Sequence, residues 1–157
     1  MPIAPAASGD LDAIVALLRA SGLPTSDLTS RHLDGFLVAR ASGGVAPGGL
    51  AGCVAVEPYG DWGLLRSLVV APEARGTGLG GALVDAAVAR ARAEGFVSLV
   101  LLTTTAETFF RARGWAPISR EAVPLAVCRS SEFAGVCPAG AACLVQALHQ
   151  GIPDGPG

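Results

Sequence analysis

Leu65-Arg66-Ser67-Leu68-Val69-Val70-Ala71-Pro72-Glu73-Ala74-Arg75-Gly76-Thr77-Gly78-Leu79-Gly80-Gly81 is the stretch that decides the fold of this chain. Its apolar first part predicts a strand, Pro72 closes that strand, and five of the last seven residues are arginine or glycine. An alanine-rich helix follows from Leu79 to about residue 94, with Leu79, Leu83 and Ala87 on one face and Gly95 as its stop. Glycines let backbone N–H groups approach a ligand with no Cβ in the way. A helix that begins there points its unbonded N–H groups and the positive end of its dipole at an anion. Residues 75–81 therefore read as a phosphate cradle.

Downstream, Ser98-Leu99-Val100-Leu101-Leu102-Thr103-Thr104 predicts a buried strand and completes a strand-helix-strand unit, which implies a parallel, right-handed crossover. A short helix over 106–113 ends at Gly114 and leads to a strand near Trp115. Upstream, Leu11, Ile14, Val15 and Leu18 repeat at helical spacing behind Ser8 or Asp10 as cap, which predicts a helix over 10–21. A helical turn over 26–34, a strand over 36–40 and a glycine-rich hairpin loop over 41–49 come next. Strands over 50–57 and 62–70 then flank the turn Pro58-Tyr59-Gly60-Asp61. Residues 120–137 read as a helix and a loop, 142–148 as a last strand, and 151–157 as a disordered tail. The sum is one domain over 1–150 of α/β (α+β) class: a mixed, mostly antiparallel central sheet flanked by helices.

Composition narrows the function. Apolar residues make up 51% and charged residues 15% of the 157, enough apolar surface to fold. The 11 basic residues are all arginine, and 13 acids leave a net charge of −2, which does not favour nucleic-acid binding. Neither a secretory signal nor an apolar run of spanning length is present, so a cytoplasmic protein that engages no membrane is expected. Cys128, Cys137 and Cys143 do not follow a standard zinc spacing and have no histidine among them, so no metal is expected. His32 and His149 read as surface or packing residues.

Gly76, Gly78 and Gly81 also satisfy G-x-G-x-x-G, but the dinucleotide fingerprint needs an acidic residue at the end of the next strand. Here that strand ends Thr103-Thr104-Thr105. A Walker loop needs a lysine, and the chain has none. Arg75-Gly76-Thr77-Gly78-Leu79-Gly80 instead resembles the [Q/R]-x-x-G-x-[G/A] acetyl-CoA motif of the GNAT superfamily of N-acetyltransferases. The preceding Val-Val-Ala-Pro-Glu and the later Phe109-Phe110-Arg111-Ala112-Arg113-Gly114-Trp115 keep the family's order to about residue 120. Leu65-Arg66-Ser67-Leu68, Leu102-Thr103-Thr104, Phe109-Phe110 and Cys137-Pro138 with Cys143 are similar to the arsenic-resistance-associated members. More distantly they resemble the acetyltransferase domain of N-acetylglutamate synthases.

The resemblance implies acetyl-CoA as acyl donor and a small, amino-acid-like amine as acceptor. It implies that the amides of Gly76, Gly78, Gly80 and Gly81 and the side chain of Arg75 surround the pyrophosphate, with Thr77 and Leu79 between them. Leu68, Val69 and Val70 run beside the pantetheine, and Phe109 adds a later cofactor contact. An N–H of this strand, at Val69 or Val70 and here taken as Val69, meets the thioester oxygen, where charge builds as the tetrahedral intermediate forms. Many members carry a tyrosine where Phe110 stands and a glutamate where Leu64 stands, and neither residue can move a proton. Thr103 is the nearest hydroxyl by analogy and Glu57 the substitute base, with a water relay as the alternative. Arg66, beside Ser67, offers a fork that suits an acceptor carboxylate or phosphonate-like oxyanion, or else is a solvated strand arginine. Two rival readings stand beside the enzyme: a CoA-binding sensor without turnover, and a thiol-based metalloid binder built on Cys128, Cys137 and Cys143. A homodimer through the last strand is compatible with the apolar composition.

Overall fold

The computed structural model describes residues 2–23, 25–41, 49–130, 133–134 and 140–148. The expected hairpin loop at 42–48, Cys137, His149 and the expected tail at 151–157 lie outside the described residues. In chain order the elements are β1 (Ile3–Pro5), α1 (Leu11–Ala20), a 3-10 turn (Ser30–Gly35), β2 (Phe36–Arg40), β3 (Leu50–Tyr59) and β4 (Trp62–Val70). They continue with a 3-10 turn (Pro72–Ala74), α2 (Leu79–Ala93), β5 (Ser98–Thr103), α3 (Glu107–Ala112), β6 (Ala116–Pro117), a 3-10 turn (Arg120–Ala122), α4 (Leu125–Cys128) and β7 (Ala142–Ala147). Hydrogen-bonded neighbours run β1-β2-β3-β4-β5-β7-β6, and β4–β5 is parallel while β1–β2, β2–β3, β5–β7 and β6–β7 are antiparallel. The expected mixed, mostly antiparallel sheet with helices is present. No helix among the described residues is long and apolar enough to cross a membrane.

The chain divides into two compact units, Met1–Glu57 with Leu65–Ala87, and Pro58–Leu64 with Val88–Gly157. In the first, α1 buries Ile14, Leu17 and Leu18 against Phe36, Val38, Leu50, Cys53 and Val69. Each such side chain contributes about 1.5–3 kcal/mol by leaving water. The stripe is rotated from the expected one, with Leu17 inside and Val15 only half-buried. Asp10 stands at the N-cap position, but its carboxylate accepts from Ala7 N–H at 2.7 Å and from both Arg40 amino groups rather than from the first helical turn. Strand β1, absent from the sequence reading, pairs Ile3–Pro5 with Leu37–Ala39, and its proline is tolerated because the strand lies at the sheet edge.

The hydrogen bond from Arg40 to Asp10 holds the Asp10 carboxyl below the usual carboxylate range, against the opposing pull of burial. A depressed acid contributes stability that is complete above its unfolded pKa and is lost as pH falls through the folded one. Asp10→Asn should therefore lower the unfolding free energy by about 1–2 kcal/mol at neutral pH. That gap should close between roughly pH 5 and pH 2, which urea melts at both ends of the range would measure.

Two close approaches set the spacing inside this unit. A Cβ on Gly52 would lie 2.8 Å from the Val69 carbonyl oxygen and 2.9 Å from Leu83 Cδ1, so α2 packs directly over β3 where β4 passes. A Cβ on Gly35 would lie 2.3 Å from the Val56 carbonyl oxygen, so the turn Ser30–Gly35 sits hard against β3. Gly35→Ala should force that turn off the strand and cost about 2–3 kcal/mol in a urea melt.

In the second unit, the first half of β4 pairs Trp62–Leu64 with Ser98–Val100 of β5, and β5 pairs along its whole length with β7. Leu99–Leu102 are buried, the continuous apolar run expected of a strand covered on both faces. Leu64, Val100, Leu102, Val123, Val127 and Cys143 form this unit's core, against which Tyr59, Trp62 and Cys128 pack. Cys128 and Cys143 are free thiols, and burial pushes the Cys143 thiol up, away from the thiolate a soft-metal ligand needs.

Candidate active site

Strand β4 ends at Val70, the turn Pro72–Ala74 reverses the chain, and Arg75 leaves it in extended conformation. Gly76 and Gly78 have φ of 78° and 83°, and the first helical bond of α2 runs from Ala82 N–H to the Gly78 carbonyl at 3.1 Å. α2 thus opens directly behind a loop conformation that glycine adopts without strain. A Cβ at Gly76 or Gly78 would meet no protein atom within 4 Å, so packing does not demand glycine there; the backbone does. Arg75 is exposed, and its Nε donates to the Val70 carbonyl at 3.2 Å, which holds the guanidinium beside the loop. The Thr77 hydroxyl donates to the Ala74 carbonyl and braces the same turn. Gly80 and Gly81 follow on the first turn of α2, while Leu79 turns its side chain into the core. A helix N-terminus opened by glycines and one adjoining arginine fit a pyrophosphate.

Just before this loop the strand carries an irregularity. Ser67 has φ 59°, and among the described residues it is the sole non-glycine in the left-handed region. Holding it there costs on the order of 1–2 kcal/mol. Its carbonyl accepts from the Cys53 thiol at 3.4 Å, and its hydroxyl from Arg66 Nε at 3.3 Å. Beyond Ser67 the pleat is rephased: Val69 is buried in the core while Leu68 and Val70 are half-buried. Cys53 is fully buried and its thiol is pushed up to about 12 by burial, so it is not a thiolate nucleophile near neutral pH.

Arg66 and three other side chains of the first unit form one cluster. The Arg66 side chain is 1% exposed and grips Asp27 with both amino groups, through Nη1 to Oδ2 and through Nη2 to Oδ1 at 2.9 Å. Glu57 Oε1 lies 3.6 Å from Nη1. His32 Nε2 lies 2.8 Å from Glu57 Oε2, both side chains being 12% exposed. Glu57 is therefore no solvated turn carboxylate but one arm of a nearly buried cluster. The fork expected to meet an acceptor carboxylate meets the carboxylate of Asp27.

Asp27 and His32 were not legible as functional residues. Asp27 belongs to no periodic pattern, whereas Thr29 and His32 have the spacing of a capping pair, the one signal that ties His32 to a defined place. One ligand atom each of Asp27, His32 and Glu57 lies within 4.8 Å of the others, a spacing that a metal ion could use. Arg66 already sets a cation beside both carboxylates.

The remaining candidates belong to the second unit. Thr103 Oγ1 accepts from Ala106 N–H at 2.9 Å and Thr105 N–H at 3.4 Å, so it organises the turn into α3 and keeps its own hydrogen to donate. Phe109 packs edge-on against Phe110 with centroids 5.1 Å apart, and the Arg113 guanidinium lies 5.5 Å from its ring centroid. Phe110 is buried against Trp115, and Leu64 is buried in the core, so neither position holds a proton-transfer group.

Residues 32–117, more than half of the chain, match the family model of an acetyltransferase (GNAT) domain. The amino-acid acetyltransferase of Ectopseudomonas mendocina (strain ymp) is 32% identical over 123 residues, covering 75% of this chain and 27% of that protein. That of Ralstonia nicotianae is 40% identical over 75 residues, covering 46% of this chain and 17% of that protein. The chain thus spans about a quarter or less of the length of these curated relatives. Among solved structures, the N-acetylglutamate synthase from Neisseria gonorrhoeae complexed with coenzyme A and N-acetyl-glutamate matches with a TM-score of 0.78 at 27% identity. The match covers 94% of this chain and 35% of that one. Rv2747 from Mycobacterium tuberculosis, in complex with CoA and NLQ, shares the fold with a TM-score of 0.77 at 24% identity, over 94% of this chain and 99% of that one.

Proposed function

Since the chain belongs to the acetyltransferase (GNAT) family, we propose that it moves the acetyl group of acetyl-CoA onto the amine of a small, amino-acid-like acceptor. The observation that carries this reading is the loop at Gly76 and Gly78, whose left-handed backbone opens the first turn of α2 toward an anion of the kind CoA carries. The names of the curated relatives and the N-acetyl-glutamate bound by the gonococcal synthase support the acceptor class.

In this scheme the amides of residues 76–81 and Arg75 hold the pyrophosphate, and Leu68 to Val70 line the pantetheine arm. Glu57 takes a proton from the incoming ammonium, directly or through a water. The freed amine attacks the thioester carbon, a C–N bond forms, and negative charge gathers on the carbonyl oxygen, where the Val69 N–H stabilises it. The C–S bond then breaks, the former amine nitrogen gives up its second proton as the amide forms, and the thiolate takes one, relayed through the Thr103 hydroxyl, which recovers its hydrogen from that nitrogen. Arg66 enters through the carboxylates it holds, and an acceptor carboxylate reaches its fork only by taking the place of Asp27. Amino-acid analogues bearing phosphonate or arsenic-containing oxyanions belong in the acceptor panel, given the motifs shared with arsenic-resistance-associated enzymes.

Thiol release from acetyl-CoA against a panel of amino acids and such analogues tests the proposal, with CoA binding by calorimetry alongside. Release stimulated by one acceptor class is the expected result. Binding of CoA with no release across the panel would overturn the transfer reaction, and no binding of CoA would overturn the cofactor as well.

A further inference from the structure

His32 does more than pack. Thr29 donates its backbone N–H to His32 Nδ1 at 3.0 Å, and the Thr29 hydroxyl lies 3.3 Å from the same nitrogen. A ring nitrogen that accepts a backbone N–H carries no proton, so the imidazole hydrogen is on Nε2. That nitrogen lies 2.8 Å from Glu57 Oε2. The turn that presents the ring is itself pinned, because Gly35 at its end leaves no room for a Cβ against the Val56 carbonyl, one residue before Glu57.

We propose that His32 is a positioning residue for Glu57, held by the Thr29 backbone in the Nε2–H tautomer so that it donates a neutral hydrogen bond to the carboxylate. The proposal rests on the reading of Glu57 as the base. A base is effective only when its lone pair is aimed at the proton it takes, and a glutamate carboxylate on three rotatable bonds needs a second contact to fix its plane. Arg66 Nη1 supplies one side, at 3.6 Å from Oε1, and His32 the other. Arg66 faces Glu57, and Asp27 pairs with Arg66. A ring protonated at Nδ1 could not accept the Thr29 N–H.

Three full-length variants and one spectrum test this, with acetyl-CoA and the acceptor that gives the fastest thiol release in the panel. His32→Ala should lower kcat about 10-fold while leaving KM for acetyl-CoA within about twofold. His32→Gln, whose side-chain amide can place an N–H where Nε2 stood, should restore kcat to within about threefold of the parent. Nitrogen-15 NMR of the unmodified protein should show His32 protonated at Nε2 and bare at Nδ1, a readout that needs neither turnover nor a folded variant. A proton on Nδ1, an unchanged kcat in His32→Ala, or a glutamine variant as slow as the alanine variant would each overturn the role of His32. Glu57→Gln separates the two levels. If it is slow while His32→Ala is not, the base stands and the positioning role falls; if it turns over normally, the base assignment fails and the positioning role fails with it.

Discussion

Glu57→Gln should lower kcat by about 10²–10⁴-fold while CoA affinity stays within about twofold of the parent. Glutamine keeps the shape of the side chain and loses the capacity to accept and hold a proton. The loss is not confined to chemistry, because His32 Nε2–H and the Arg66 guanidinium both donate toward Glu57 and a carboxamide can accept on one side only. Its amino group must then face a donor, at His32 or at Arg66, while Arg66 keeps its pair with Asp27. A modest fall in thermal stability should accompany the fall in rate. Steady-state thiol release and calorimetric titration with CoA separate the two effects, and a kcat within threefold of the parent would remove Glu57 from the mechanism.

Gly78→Val should have the opposite profile, weakening CoA binding by about 10–100-fold. Valine at φ 83° is a strained, β-branched residue, and relief of strain on the order of 1–3 kcal/mol rotates the peptide planes on either side. Those planes carry the amides that open α2, and each 1.4 kcal/mol lost from their alignment with a pyrophosphate is roughly a factor of ten in affinity. The variant should still fold, because nothing of the protein lies within 4 Å of the position where its Cβ would stand. Calorimetry with CoA alone gives the answer, and an unchanged affinity would mean that the cradle is not where the cofactor binds.

How far the sequence was legible follows from the kind of signal each residue carries. Strands β2 to β5 and helix α2 are long, apolar and punctuated by glycine or proline, and they stand where periodicity put them. Leu79, Leu83 and Ala87 share a buried face, as their spacing requires. Strand β1 has three residues and a proline, too little pattern to be read, and it exists because β2 offers it an edge. The turn at Gly76 and Gly78 was legible because its glycines answer a local backbone demand. The cluster around Arg66 was legible only in part, since Asp27, His32, Glu57 and Arg66 are brought together by tertiary packing and no spacing relates them. The left-handed conformation of Ser67 has no sequence signature at all: it is a serine where backbone geometry alone would favour glycine.

The burial of Arg66 also decides how the protein answers to ionic strength. Pairs such as Arg90–Glu94 and Arg111–Glu107 lie at the surface, where mobile ions screen charge over about 8 Å at physiological salt. No counter-ion has comparable access to a guanidinium that is 1% exposed and wrapped by its own carboxylates. Chloride, sulfate and phosphate are free to compete at the exposed loop of Arg75 to Gly78, where the proposed reaction seats the pyrophosphate. In the proposed reaction, added salt should therefore reach the cofactor end and spare the proton-transfer end. Its effect belongs in the KM for acetyl-CoA, with kcat nearly level across the same titration.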